Sequence, residues 1–173
     1  MIKIGRPNVN DAPYWYPYFF DLAPGDDLIT ALKTSKQHTQ DLIGSIPFSA
    51  EDFKYAEDKW TIKQVFIHLD DNERYYAYKS FCYSRQMDVD LEIPQGASYD
   101  KDFNAANRTL KDIGEELITI RDATISLFSS MTDEMLDFKG FPDKMVYTAR
   151  SLGWMAVGHN MHHCKIIREK YLP

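Results

Sequence analysis

An all-α four-helix bundle, with a long crossover between its second and third helices, is the fold this sequence predicts. Three observations carry the prediction. Four segments space their apolar residues by threes and fours, one long aperiodic stretch lies between the second and third of them, and no internal repeat or low-complexity tract interrupts the pattern. With 173 residues, the chain reads as a single domain over 1–173, long enough to bury a real core.

Residues 1–25 carry four prolines and the run Tyr14-Trp15-Tyr16-Pro17-Tyr18-Phe19-Phe20. Proline at 13 and 17 interrupts any long helix there. This segment is expected to be an aromatic strap over one end of the bundle, with a dimer interface as the sharper alternative. The first helix is expected from Asp26 to about Ile46, where Pro47 ends it. Its two aspartates suit a helix N-terminus, and Leu28, Leu32, Ser35, Thr39, Leu42 and Ile46 fall on one side.

A second helix opens at Thr61, where Thr-Ile-Lys-Gln fits a capping box. It runs to about Arg85, with Ile62, Val65, His68, Leu69, Asn72, Tyr75, Tyr76 and Tyr83 inward. Residues 86–107 have no clear period and form the expected crossover, a loop long enough to shape a site entrance. The third helix is the cleanest, with Leu110, Ile113, Leu117, Ile120, Thr124, Leu127 and Met131 in register. Gly140 and Pro142 punctuate the following turn, and a fourth helix runs from near Thr148 to Tyr171.

The formal net charge of −6 argues against a broad phosphate-binding surface, so no nucleic-acid partner is expected. No stretch approaches the roughly 20 apolar residues of a membrane span, and no secretory h-region is visible. Two cysteines, Cys82 and Cys164, are too few for a disulfide framework and read as free thiols. A cytoplasmic location and a small-molecule substrate are therefore the expectations.

The chemistry concentrates in the histidines. His159 and His163 are four residues apart, so their rings stack on one helical face. That face is the apolar stripe of Leu152, Met155, Ala156 and Ile166, with His162 at its edge and Cys164 pointing well away. His68 holds the equivalent place on the second helix, one turn before Asn72, with Lys79 further along the same face and Asp71 within reach at i+3. Imidazoles in an apolar stripe are costly without partners. A shared divalent ion held by His68, His159 and His163 supplies one, with a coordination position left open as catalytic sites require. Hydrogen-bonded core histidines are the competing account. His38 falls on the polar side of the first helix and is expected in solvent.

Other chemistries fit less well. There is no H-E-x-x-H, G-x-S-x-G, P-loop or G-x-G-x-x-G motif. Cys82 lies fourteen residues from His68, about 21 Å along a helix, too far to act with it.

Lys59-Trp60-Thr61-Ile62-Lys63-Gln64 followed by His68-Leu69-Asp70-Asp71-Asn72-Glu73-Arg74 resembles the second-helix motif of the DinB-like (DinB/YfiT) superfamily. Val157-Gly158-His159-Asn160-Met161-His162-His163 resembles its final-helix G-H-x-x-H-H motif. The strap and Arg121-Asp122-Ala123-Thr124 are similar to segments of one branch, so the resemblance spans nearly the whole chain. It implies a homodimeric four-helix bundle holding zinc or nickel through three histidines, here His68, His159 and His163. His162 matches the extra histidine of the motif, which is not normally a ligand. The implied activity is that of a thiol S-transferase using a low-molecular-weight thiol as cosubstrate, with Asn72, Lys79 and Asp71 as candidate pocket residues. A metal-dependent hydrolase, or a stress-response module binding metal or a small ligand without turnover, are the alternatives.

Overall fold

The computed structural model describes residues 3–87, 104–140 and 145–172. Among the described residues the chain forms six α-helices and no strand: α1 (Tyr16–Leu22), α2 (Leu28–Ser45), α3 (Ile62–Ser84), α4 (Leu110–Ser129), α5 (Asp133–Asp137) and α6 (Ala149–Ile166). A π-helical turn, Ile167–Tyr171, carries α6 onward. No helix among them is long and apolar enough to cross a membrane.

The starts of the four long helices follow from side chains that satisfy otherwise orphaned backbone N–H groups. Asp27 accepts from Thr30 N at 3.0 Å and opens α2. At α3, Gln64 N donates to Thr61 Oγ1 at 3.1 Å while Thr61 N donates to Gln64 Oε1 at 2.8 Å, the box predicted from sequence. Two further reciprocal boxes open α4 and α6, with Asp112 and Ser151 in the third position. At the other end of α3, Gln86 takes a left-handed φ of 53°. Its N–H bonds Tyr83 O, and the next N–H, from Met87, bonds Cys82 O at 3.0 Å. This is a Schellman stop built without glycine. The expected crossover over 86–107 lies largely outside the described residues.

The four long helices pack as a bundle in which α2 and α3 each contact both α4 and α6. Consecutive helices α2 and α3 therefore occupy opposite corners, as do α4 and α6. Two apolar clusters fill the interior. One gathers Phe20, Leu28, Leu32, Phe128, Leu152 and Trp154; the other gathers Leu42, Ile62, Phe66, Leu110, Ile113 and Ile167.

Along the helices, a polar layer of Ser35, Thr39, Glu73, Arg121 and Asn160 separates the two clusters, all of it buried. Arg121 is its hub. Nε and Nη2 donate to the two carboxylate oxygens of Glu73 at 2.5 and 2.6 Å. Nη1 donates to Leu32 O at 3.1 Å and to Ser35 Oγ.

Three details differ from the sequence expectation. Arg121 and Phe128 are fully buried on α4, whereas Ile120 and Leu127 are only partly covered. Cys164 is not turned outward: α6 is enclosed nearly all round, and its Sγ lies 3.5 Å from Thr39 Oγ1. His38 is half-buried with Nδ1 sealed from solvent, rather than solvated.

The aromatic N-terminal segment packs on α6 as a short helix, with Pro17 in its first turn. Tyr16 and Phe20 are buried, while Tyr14 and Tyr18 face outward. Arg6 anchors the return of the chain by donating to Phe20 O and Ala23 O at 2.5 and 2.7 Å, its guanidinium 4.5 Å from the Trp154 ring. Contact with α6 is closest at Gly158, where an added Cβ would stand 2.0 Å from Phe19 O. Gly158→Ala is therefore expected to lift α1 from α6 and cost about 1–3 kcal/mol. Urea unfolding measures the loss, with far-UV circular dichroism confirming that the bundle persists.

Asp70, in the middle of α3, is buried with neither carboxylate oxygen hydrogen-bonded to a described residue. Burial pushes its carboxyl up to about 8, reinforced by Glu116 and opposed by Arg74. The folded state thus binds a proton that the unfolded chain releases near pH 4. This contribution is complete below that value and is lost as pH rises through 8. In metal-free protein, Asp70→Asn should flatten the fall in stability between pH 5 and 8 by about 3 kcal/mol, measured by denaturant titration at both pH values. Equal pH slopes in the two proteins would contradict the assignment.

Candidate metal centre

Histidine 68 lies on the inner side of α3, and histidines 159 and 163 lie one turn apart on α6. The α3–α6 contact brings the three together. His159 Nε2 is 3.3 Å from His68 Nε2 and 3.2 Å from His163 Nε2. One ring nitrogen from each lies within 4.8 Å of the other two.

These spacings bear on the two accounts of the cluster, a shared ion or a hydrogen-bonded group. A single imidazole nitrogen has one in-plane direction, filled by either a proton or a lone pair. His159 Nε2 cannot bond along that direction to two other nitrogens at once. A tetrahedral ion with bonds of 2.0–2.1 Å, in contrast, sets its nitrogens about 3.3–3.4 Å apart. The two observed separations fit that geometry, and no described carboxylate or thiol joins the group.

Electrostatics agrees with the geometry. His159 is depressed well below its ordinary value, by burial first and then by His163, His68 and His162. Burial, with His68 and His162 adding, takes His163 down to about 3. At neutral pH both rings are uncharged, so their lone pairs are available without proton competition.

Surrounding groups fix the ring orientations. Asn72 Nδ2 donates to His68 O at 2.8 Å and sits beside the His68 ring edge, 3.1 Å from Nδ1 and 3.3 Å from Nε2. The Trp60 ring packs 4.7 Å from that of His68. Phe19 and Tyr76 flank His159 with ring centroids at 5.9 and 6.0 Å. His162 stands outside the group, Nδ1 3.0 Å from Tyr18 Oη and its ring against Phe19. Burial and Lys165 lower its pKa. The strap thus forms one wall of the site, a role the sequence did not assign to it. The run of rings at Tyr18 and Phe19 was the available signal.

The remaining candidate pocket residues are placed differently. Lys79 is buried three turns along α3 from His68, its Nζ 3.4 Å from the Tyr147 ring centroid and 3.3 Å from Tyr75 Oη. Asp71 is half-buried and faces Arg74, at 3.7 Å. Of the three, Asn72 is the one that the structure places against a cluster histidine. Asn72→Ala should weaken metal binding about 10- to 100-fold through the freed His68 ring, measured by competition with a chromophoric chelator.

A four-helix bundle that converges three histidines from two helices defines a class of helical proteins with a candidate metal centre in the core. The chain belongs to the DinB superfamily, whose sequence model matches residues 31–167. The fold is also similar to that of YfiT from Bacillus subtilis, with a TM-score of 0.67 and 15% identity over 95% of this chain and 90% of that one. That protein is described as a probable metal-dependent hydrolase with an unusual four-helix bundle topology. No curated protein matches the chain.

Proposed function

We propose that the protein is a divalent-metal-dependent enzyme acting on a small molecule, with His68, His159 and His163 as the metal ligands. The observation that carries this reading is the pair of nitrogen separations at His159 Nε2, 3.2 and 3.3 Å, which suit one shared ion. When bound, such an ion supplies Lewis acidity and lowers the pKa of a water or thiol at its open position. Zinc and nickel both suit three imidazoles.

The chain's own residues supply position and exclusion of bulk water. Asn72 packs its amide against the His68 ring. Trp60, Phe19 and Tyr76 surround the cluster with ring faces and edges, a setting of low polarity in which a charged nucleophile is poorly solvated. Lys79 and Asp71 are not assigned a step.

Hydrolysis of a compact ester or amide is the reading we favour, supported by the described activity of YfiT. Transfer of a low-molecular-weight thiol to an electrophile is the second, supported by the family resemblance of the two histidine motifs. Untagged protein loaded with zinc or nickel, assayed on p-nitrophenyl esters and on an aryl halide with and without added thiol, separates them. Metal-dependent turnover without thiol supports hydrolysis. Turnover only with thiol supports transfer. A metal-loaded protein inert in every arm, yet stabilised by a small ligand, would establish a non-catalytic binding module instead.

A further inference from the structure

A cavity of about 310 Å³ opens beside the histidine cluster, with His163 in its wall together with Tyr55, Trp60, Val65, Ile166 and Tyr171. Resting on the metal-centre reading, we propose that this cavity seats a compact apolar group of the substrate, a single aromatic ring or branched aliphatic group, bonded directly to the atom that reacts at the histidines.

Three observations carry the inference. First, the cavity and the cluster share walls. His163 lines it, and Trp60, which also lines it, packs its ring 4.7 Å from that of His68. A group seated there lies against the ligand set itself.

Second, the lining presents mainly rings and aliphatic carbons, and several of its polar groups are already engaged. Tyr171 donates its hydroxyl to Trp60 O at 3.0 Å, so it offers its ring to the cavity. That ring meets Tyr55 edge-on at 4.8 Å, which braces the wall. Asp58 and Lys59, also in the lining, pair with each other at 2.6 Å, Asp58 exposed and Lys59 half-buried. They contribute no uncompensated charge to select an ionic substituent.

Third, the volume lies at the floor of the range for small-molecule sites, roughly 300–1,000 Å³. A ring or a short branched chain fits; a peptide or polymer does not. The sterically selected part of the substrate is therefore the one next to the reacting centre.

Calorimetric titration of zinc-loaded, untagged protein with benzohydroxamate and acetohydroxamate tests this, since the probes share a chelating group and differ in the ring. Benzohydroxamate should bind at least about tenfold more tightly to the native protein. Ile166→Trp fills the cavity and Tyr55→Ala removes a wall. Both should bring the preference to within about twofold, with zinc content and acetohydroxamate affinity unchanged. A ring preference absent from the native protein, or undiminished in both variants, overturns the proposal.

Failure of the metal reading looks different, as zinc is then not retained and acetohydroxamate does not bind. In that event benzyl alcohol added to the metal-free protein, followed at the Trp60 indole N–H resonance, decides the cavity alone. A shift that disappears in Ile166→Trp upholds it, and no shift overturns it.

Discussion

Replacing His159 with alanine should abolish metal retention while leaving a helical protein. His159 is the nitrogen shared by both short separations in the cluster, at 3.2 and 3.3 Å, so its removal takes away the ligand on which the other two converge. The loss of affinity should exceed the roughly 10- to 100-fold that an outer hydrogen-bond partner such as Asn72 is worth. The native protein should gain about 4 kcal/mol of stability at a free ion concentration 1,000 times the dissociation constant, whereas the variant should gain little. Thermal melts with added zinc and with chelator measure both, and circular dichroism shows that α3 and α6 persist. A variant that still binds a full complement of metal would remove His159 from the ligand set.

The second large effect belongs to the polar layer. Arg121 is fully buried and Glu73 nearly so, joined by two hydrogen bonds of 2.5 and 2.6 Å. Arg121→Met strands the Glu73 carboxylate unpaired in the bundle interior and should cost about 3–5 kcal/mol. For a chain of this size that corresponds to a fall in Tm of about 10 °C. The double variant Arg121→Met/Glu73→Leu removes both charges and should recover most of the loss, because an apolar pair of similar volume avoids the desolvation that the ion pair must offset. Guanidinium unfolding of the two variants gives the comparison. A single variant within 1 kcal/mol of native would mean that solvent reaches the layer.

Why the bundle and the histidines were legible, and the layer was not, follows from what periodicity can carry. Leu28 to Ile46 and Leu110 to Met131 each mark one face at helical spacing, and Thr61 with Gln64 announces a helix start in its own residue types. His68, His159 and His163 fall on such faces, where polar rings stand out against apolar neighbours. Arg121 and Glu73 also fall on such faces, at i+4 from Leu117 and Leu69, but a charged residue there does not name its partner; only the packing of α3 against α4 joins the two as an ion pair.

Helix ends show the same limit. The boxes at Thr109 and Thr148 use Asp112 and Ser151 where glutamate or glutamine is the usual third residue, and Gln86 ends α3 in a conformation that normally signals glycine. Cys164 and His38 were misplaced because a stripe predicts one buried face. The α6 helix touches α1, α2, α3 and α5, and is enclosed on almost every side.

X-ray absorption at the metal edge of untagged protein, combined with elemental analysis, tests the histidine centre most directly. One ion per chain with imidazole scattering from three nitrogens at about 2.0–2.1 Å is the predicted result. Protein that takes up no ion under zinc or nickel excess, or an ion whose shell lacks imidazole, would contradict it.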